Sequence, residues 1–514
     1  MPSPTLAIFL VIVGTLCSII LIRRASQSHN KHVQKLPPGP WPLPVIGSLH
    51  MLTTLPHRGL QKLAKKYGPI MSLRLGNVLT VVVSSPEAAE LFLKTNDSVF
   101  ASRPKLQATE YMWYGTKGMA FKAYGSYWRS VRKLCTLHLL SSSKIVSFAE
   151  LRKEDIRSMM EGLKRAAVAR EVVDISKLVG EVIANISCRI ILGKVRNDID
   201  GLTGLVGEAL ALGGAVNIAD YVPYLAQFDL QGYTRRMKRV SVNMNKMLEK
   251  IIIEHEQEAI LLLNEQEEEH GMHKGFVDVL LSLMNQPMNP QDEKFHIIDR
   301  TDIKAILLDM ISASFDTSAT AIEWTLSELL RNPRVMETLQ GELESVIGMD
   351  QMVEEKDIGM LEYLDLVVKE SFRLHPVGPL LIPHESMQDI TIKGYHIPKK
   401  SRIIVNTWAI GRDPKVWSED VEEFYPERFV GSNNIDMKGR DFRLLPFGSG
   451  RRGCPGMQLG LVNVQLVLAQ MLHCFNWELP YGTNAEDLDM LEKFGLSMGR
   501  ANHLLSKPTY RLLF

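Results

Sequence analysis

Hydrophobic and polar positions are distributed very unevenly along this chain. Residues 5–22 run from Thr5 to Ile22 without one charge and are mostly aliphatic. A run of this length is just long enough for a helix to cross a bilayer core, which takes about 20 residues. Arg23 and Arg24 follow at once, and no basic residue precedes the run. A cleaved signal peptide would start with charge and end in small residues, where these arginines stand. The pattern therefore predicts a single transmembrane anchor over 1–24, with the bulk of the chain on the cytosolic side. A basic, proline-rich hinge follows over 25–44, ending in Pro37, Pro38, Pro40, Pro42 and Pro44. The remainder, 45–514, reads as one domain.

Within that domain the period changes repeatedly. Ser72 to Leu75 and Thr80 to Val83 flank Gly76-Asn77, which predicts a β-hairpin. From Pro86 the apolar spacing is mainly helical for some three hundred residues. Short β pieces return near Ile390 to Ile397 and Ile403 to Val405. The fold class is mainly α with small β-sheets. Glu249 to His270 is charge-rich and reads as a solvated helix face with its trailing loop. Leu307 to Leu330 is the longest clear helical pattern. A last apolar helical stretch, Met457 to Phe475, follows a glycine-rich segment.

Composition narrows the picture modestly. Hydrophobic residues make up 45% and charged residues 23%, ordinary for a folded protein. A net charge of +1 gives no reason to expect a nucleic-acid partner. The five cysteines, Cys17, Cys135, Cys188, Cys454 and Cys474, are dispersed and odd in number. They form neither a disulfide framework nor a zinc pattern, and suit a reducing compartment.

Chemistry concentrates in a few places. The segment Phe447-Gly448-Ser449-Gly450-Arg451-Arg452-Gly453-Cys454-Pro455-Gly456 sets one cysteine just before a helix start. Backbone N–H groups and the positive end of the helix dipole there favour a thiolate. Pro455 fits the first helical position. An anionic sulfur on a glycine-rich shelf beside arginines suits the axial ligand of a haem iron, though a buried structural cysteine is the alternative. Trp128 and Arg132 share one helix face, as do Glu370 and Arg373. Asp316 and Thr317 form an acid–alcohol pair among small residues, Ala313 and Ser314 included, in an otherwise apolar helix.

The spacing Phe-x-x-Gly-x-Arg-x-Cys-x-Gly matches the haem-binding signature of the cytochrome P-450 family. The other patterns occur in the family's order, and the chain resembles a plant microsomal, A-type member. The resemblance implies the cytochrome P-450 fold, haem b and a haem-thiolate monooxygenase domain over 45–514. It implies that Cys454 ligates the iron and that Phe447, Arg452 and Ala313 border the haem. Trp128, Arg132 and His384 would face its propionates. Asp316 and Thr317 would relay protons for oxygen activation, and Glu370, Arg373 and Arg428 (in Pro426-Glu427-Arg428-Phe429) would close a structural cluster. The family pattern has glycine, which eases a local widening of the helix, where Ser314 stands; the departure bears on coupling efficiency and pocket shape and not on the reaction class. Met112, Trp113, Phe121, Ser314, Val377, Leu380 and Leu381 are expected to border a pocket for a small hydrophobic substrate, a plant terpenoid, phenolic, biphenyl or alkaloid. Electrons would come from NADPH through a membrane-bound reductase met by Arg129 and Lys133, at the endoplasmic reticulum. Two other classes stay open: a P-450-like isomerase or dehydratase, and a non-catalytic membrane haem protein.

Overall fold

The structure is a computed structural model, and it describes Gly14 and residues 35–196, 198–265, 274–289, 296–431 and 435–513. The expected anchor over 1–24 lies outside the described residues except for Gly14, and the hinge is described only from residue 35.

The hairpin is where the sequence places it. Strand β1 (Ile70–Leu75) pairs antiparallel with β2 (Val78–Val83) around the Gly76-Asn77 turn. Strand β3 (His384–Glu385) and strand β4 (Arg402–Val405) complete a four-stranded sheet in the order β1-β2-β4-β3, with β2 and β4 parallel. The proline-rich segment docks on this sheet: Ser72 N–H donates to the Pro38 carbonyl at 2.8 Å and its hydroxyl to that of Pro37 at 2.7 Å. Three smaller sheets lie elsewhere, and helices make up most of the rest.

Six helices organise the site: α1 (Ser126–Leu134), α2 (Tyr233–Glu265), α3 (Arg300–Ser314), α4 (Thr317–Arg331), α5 (Glu362–Leu374) and α6 (Met457–Cys474). Two sequence expectations need correction. Among the described residues the longest helix is α2, with 33 residues; its charged outer face obscures the apolar stripe that buries Met237, Val240, Met244, Leu248 and Ile251. The pattern from Leu307 to Leu330 is not one helix but two, α3 and α4, broken at Phe315 and Asp316. Both are core helices, as is α6, so their apolar character reflects burial inside the protein. Their inward residues join one large hydrophobic cluster. Helices α4 and α6 touch closely: a methyl at Gly460 would lie 3.9 Å from Ser318 Oγ.

Candidate active site

The loop before α6 is shaped by its own hydrogen bonds. Cys454 N–H donates to the Phe447 carbonyl at 2.8 Å, closing the turn. Gly450 sits at φ +67°, and a Cβ there would lie 2.3 Å from the Leu93 carbonyl oxygen, so a side chain is excluded. Arg451 turns outward to Asp97 at 2.7 Å. Helix α6 begins at Met457, with Gly456 as its cap. Pro455 therefore precedes the cap and is not the first helical residue, because the chain after Cys454 makes a turn before the helix starts. The thiol is accessible on the Cys454 side chain, yet protein surrounds it closely enough for burial to dominate its acidity. That burial pushes the thiol up, against the Gly456 N–H and the nearby Arg132, which pull it down. The helix-end N–H and the arginine thus favour the thiolate in the expected direction, while burial opposes them, and a cation bound at the sulfur would hold it deprotonated.

A cluster of cations lies beside this loop, converging on residues 100–103 and Met119. Trp128 Nε1 donates to the Met119 carbonyl at 3.0 Å, and Arg132 Nη1 lies 3.9 Å from the Met119 sulfur. The Arg452 guanidinium stacks 4.1 Å from the centre of the Trp128 ring and donates to the Ala101 carbonyl at 2.6 Å and the Lys122 carbonyl at 2.5 Å. His384, buried on β3, bonds through Nδ1 to the Phe100 carbonyl at 2.8 Å. Sequence reasoning missed Arg103, which is buried and donates to the Pro383 and Ile382 carbonyls. Burial first, and then mutual repulsion, holds Arg103 and His384 well below their ordinary values and Arg452 at about 9. Among the described residues no carboxylate comes within 4.0 Å of Arg103, Arg132 or Arg452. Desolvated cations without an acidic partner form a donor set suited to a dianionic group. With the Cys454 thiol, which interacts with Arg132, and the exposed methyl of Ala313, these residues fit a haem with its two propionates.

The break between α3 and α4 carries the acid–alcohol pair. Thr317 Oγ1 donates back to the Ala313 carbonyl at 2.7 Å, a bond that bends helices. Ser314 Oγ bonds to the Ile311 carbonyl at 3.3 Å. The break is thus present with serine in the place of the family glycine. Asp316 accepts from the Ser497 hydroxyl of the C-terminal segment. That segment is fixed by Trp324 Nε1 on the Met498 carbonyl and by Met498 N–H on the Val377 carbonyl, both at 2.8 Å.

Earlier on α3 is a residue that sequence reasoning missed. Asp309 is buried, and its Oδ2 accepts from the N–H groups of Met119 at 2.5 Å and Ala120 at 3.1 Å. Among the described residues its Oδ1 has no partner. Burial raises this carboxyl to about 7 in spite of the two N–H donors. Gly118, at φ +83°, makes room: a Cβ would lie 2.5 Å from Asp309 Oδ2. Asp309 thereby fastens the segment that carries Met119 to helix α3. An aspartate on an apolar helix face was the only available signal.

Glu370 and Arg373 are fully buried on α5 and form a two-bond pair at 2.7 and 2.8 Å. Arg428 adds a bond to Glu370 Oε1 at 2.9 Å. The remaining Arg373 donors reach the Gly411, Val421 and Glu423 carbonyls. Next to Arg373, Phe372 meets Phe447 edge-on, with ring centres 5.6 Å apart. The cluster thus backs directly onto the cysteine loop.

A largely apolar cavity lies between β1, β2, β4 and the segment 212–221. Of the expected pocket residues, Phe121, Leu380 and Leu381 line it. Met112, Trp113, Val377 and Ser314 are not among its lining. Met112 and Trp113 are buried, with Trp113 packed edge-on against Phe121 at 4.9 Å. Leu381 adopts φ +48° and reaches within 3.7 Å of a Cβ position at Gly448, so it borders both the cavity and the cysteine loop.

The family model described as Cytochrome P450 matches residues 37–505. Cytochrome P450 CYP736A12 of Panax ginseng is 58% identical over 94% of this chain and 95% of its own. The flavonoid 3'-monooxygenase of Arabidopsis thaliana is 40% identical over 98% of each chain. Among solved structures, a zebrafish cytochrome P450 with abiraterone superposes with a TM-score of 0.72 at 26% identity, over 89% of this chain and all of that one.

Proposed function

The chain belongs to the cytochrome P450 family, as a plant A-type member and an oxidoreductase of the monooxygenase type, and from that premise we propose that it oxidises a small hydrophobic plant specialised metabolite with O2 and NADPH-derived electrons. The observation that carries the reading is the joint placement of Cys454, the unpaired cations around Met119, and the Asp316–Thr317 break. Haem would be held by Cys454 at its iron, with Trp128, Arg103, Arg132, His384 and Arg452 binding its propionates and Phe447 and Ala313 packing against it. The chemistry of the bound haem is activation of dioxygen for insertion of one oxygen atom into a C–H bond, with the cysteine as the electron-donating ligand.

The protein's own residues do the rest. Thr317 spends its hydroxyl hydrogen on the Ala313 carbonyl, which leaves its lone pairs to accept a bond from water or a proton donor inside the site. Asp316, joined to Ser497, is the acid that brings protons from the C-terminal side. Glu370, Arg373 and Arg428 hold the cysteine loop through Phe372 and Phe447. Leu380, Leu381 and Phe121 orient an apolar substrate and exclude water. Arg129 and Lys133, both exposed on α1, would meet an acidic membrane-bound reductase. The N-terminal run would anchor the enzyme in the endoplasmic reticulum membrane with its catalytic domain in the cytosol. The isomerase, dehydratase and non-catalytic readings are less well supported, because the proton-relay pair would serve no purpose in them.

The test is spectroscopic. The reduced carbon monoxide complex should show the thiolate-type Soret band, and Cys454→Ala should abolish it; a variant that kept the band would overturn the ligand assignment. Product formation without NADPH and reductase would overturn the monooxygenase reading.

A further inference from the structure

One wall of the cavity carries polar atoms that an apolar pocket does not explain. Arg402 and Thr80 are directly opposed in the parallel β2–β4 register. Both line the cavity, Thr80 fully buried and Arg402 at 4% exposure. Among the described residues, Thr80 Oγ1 and Arg402 Nε are both without a hydrogen-bond partner. The guanidinium lies 4.7 Å from the centre of the Tyr221 ring and also bonds to the Tyr221 side chain, so Nε is the donor that remains to be satisfied. A desolvated cation and hydroxyl left in this state cost stability unless something else satisfies them.

Asp220 is the other charged residue lining the cavity, and it is already bonded to the Gln107 N–H at 2.7 Å. Glu385, opposite Arg402 on β3, is partly buried. Neither comes within 4.0 Å of Arg402. Burial raises both carboxyls, and the Arg402 charge acts against that shift in each. The remaining lining is apolar, with Phe121, Leu212 and Leu496 across from the strand.

We propose that Arg402 and Thr80 form a subsite for a carboxylate at one end of an otherwise apolar substrate, whose body extends past Leu381 toward the cysteine loop. A carboxylate supplies two acceptors for the guanidinium plane and one for the threonine hydroxyl. This deepens the monooxygenase reading and rests on it: the substrate class becomes small aromatic or terpenoid acids, oxidised at the end remote from the acid group.

Equilibrium dialysis of the purified holoprotein tests the subsite with three probes of one ring system: naphthoate, naphthamide and methylnaphthalene. Naphthoate should bind roughly tenfold or more tightly than naphthamide, the range of a charge-assisted bond. Arg402→Met should erase that preference and leave naphthamide binding unchanged, and Arg402→Lys should keep part of it. Equal binding of the acid and the amide to the unaltered protein overturns the subsite, as does a preference that survives Arg402→Met. The first of these readouts needs no variant, so it decides the matter even if Arg402→Met folds poorly. The carbon monoxide spectrum is read on the same sample: loss of the thiolate-type band there would sink the haem assignment, whereas a normal band with no acid preference would sink only the subsite.

Discussion

Asp309 is the residue whose chemistry depends most on its place in the fold. Its folded value of about 7 lies well above the ordinary aspartate value of about 3.9. The folded state therefore binds the proton more tightly than the unfolded chain. Its contribution to stability is fullest below the unfolded value and is lost as pH rises toward 7. Asparagine keeps an acceptor for the Met119 and Ala120 N–H groups but does not titrate. Between about pH 5 and pH 7.5 the wild type should lose melting temperature relative to Asp309→Asn. A difference that stays constant with pH would refute the buried acid. Thr317 makes a second prediction at this scale. Thr317→Ala and Thr317→Val should release roughly tenfold more peroxide per product than the wild type, while Thr317→Ser should stay close to it; equal coupling in all four proteins would remove Thr317 from the relay.

At the scale of elements, the site is a set of loops held by helices. The acid–alcohol pair falls at a break between α3 and α4, not in a continuous helix. Thr317 bonding to the Ala313 carbonyl maintains that break, which explains why serine at position 314 is compatible with it. Helix α5 acts through its buried charges. Removing Glu370 leaves Arg373, with no solvent exposure, as an uncompensated cation, and Arg428 loses its acid as well. Breaking such a buried pair costs about 3–5 kcal/mol. Glu370→Ala should therefore unfold at lower denaturant and retain little haem, and Arg373→Ala should do the same. The double variant should lose less than the sum, since the two share one interaction; strict additivity would show that the pair is not the unit.

At the scale of the whole molecule, the exposed basic residues Arg129 and Lys133 lie on α1, the helix that carries Trp128 and Arg132 inward. One helix thus presents the cation cluster to the interior and a basic face to solvent. Charge reversal at both positions should raise the KM for reductase roughly tenfold at low salt, and the effect should shrink as ionic strength rises. Turnover supported by a peroxide in place of reductase should not change. An unaltered KM, or an effect insensitive to salt, would assign docking to another face.

The sequence alone determined the family, the cysteine loop, the hairpin, the Glu370–Arg373 and Asp316–Thr317 pairs, and the mainly helical class. Each of these is local: a fixed spacing or a period within one element is enough to specify it. Tertiary structure decided what depends on distant parts of the chain meeting. The acidity of Cys454 is governed by burial that no neighbour in sequence reveals. Arg103 joins Arg452 and His384 only because segments some 280 to 350 residues apart pack together. Asp309 matters because the Met119 loop folds back onto it, and Arg402 because strand β4 lands beside β2. Desolvation and non-local pairing set the charge state of these groups, and neither is written in the spacing of residues along the chain.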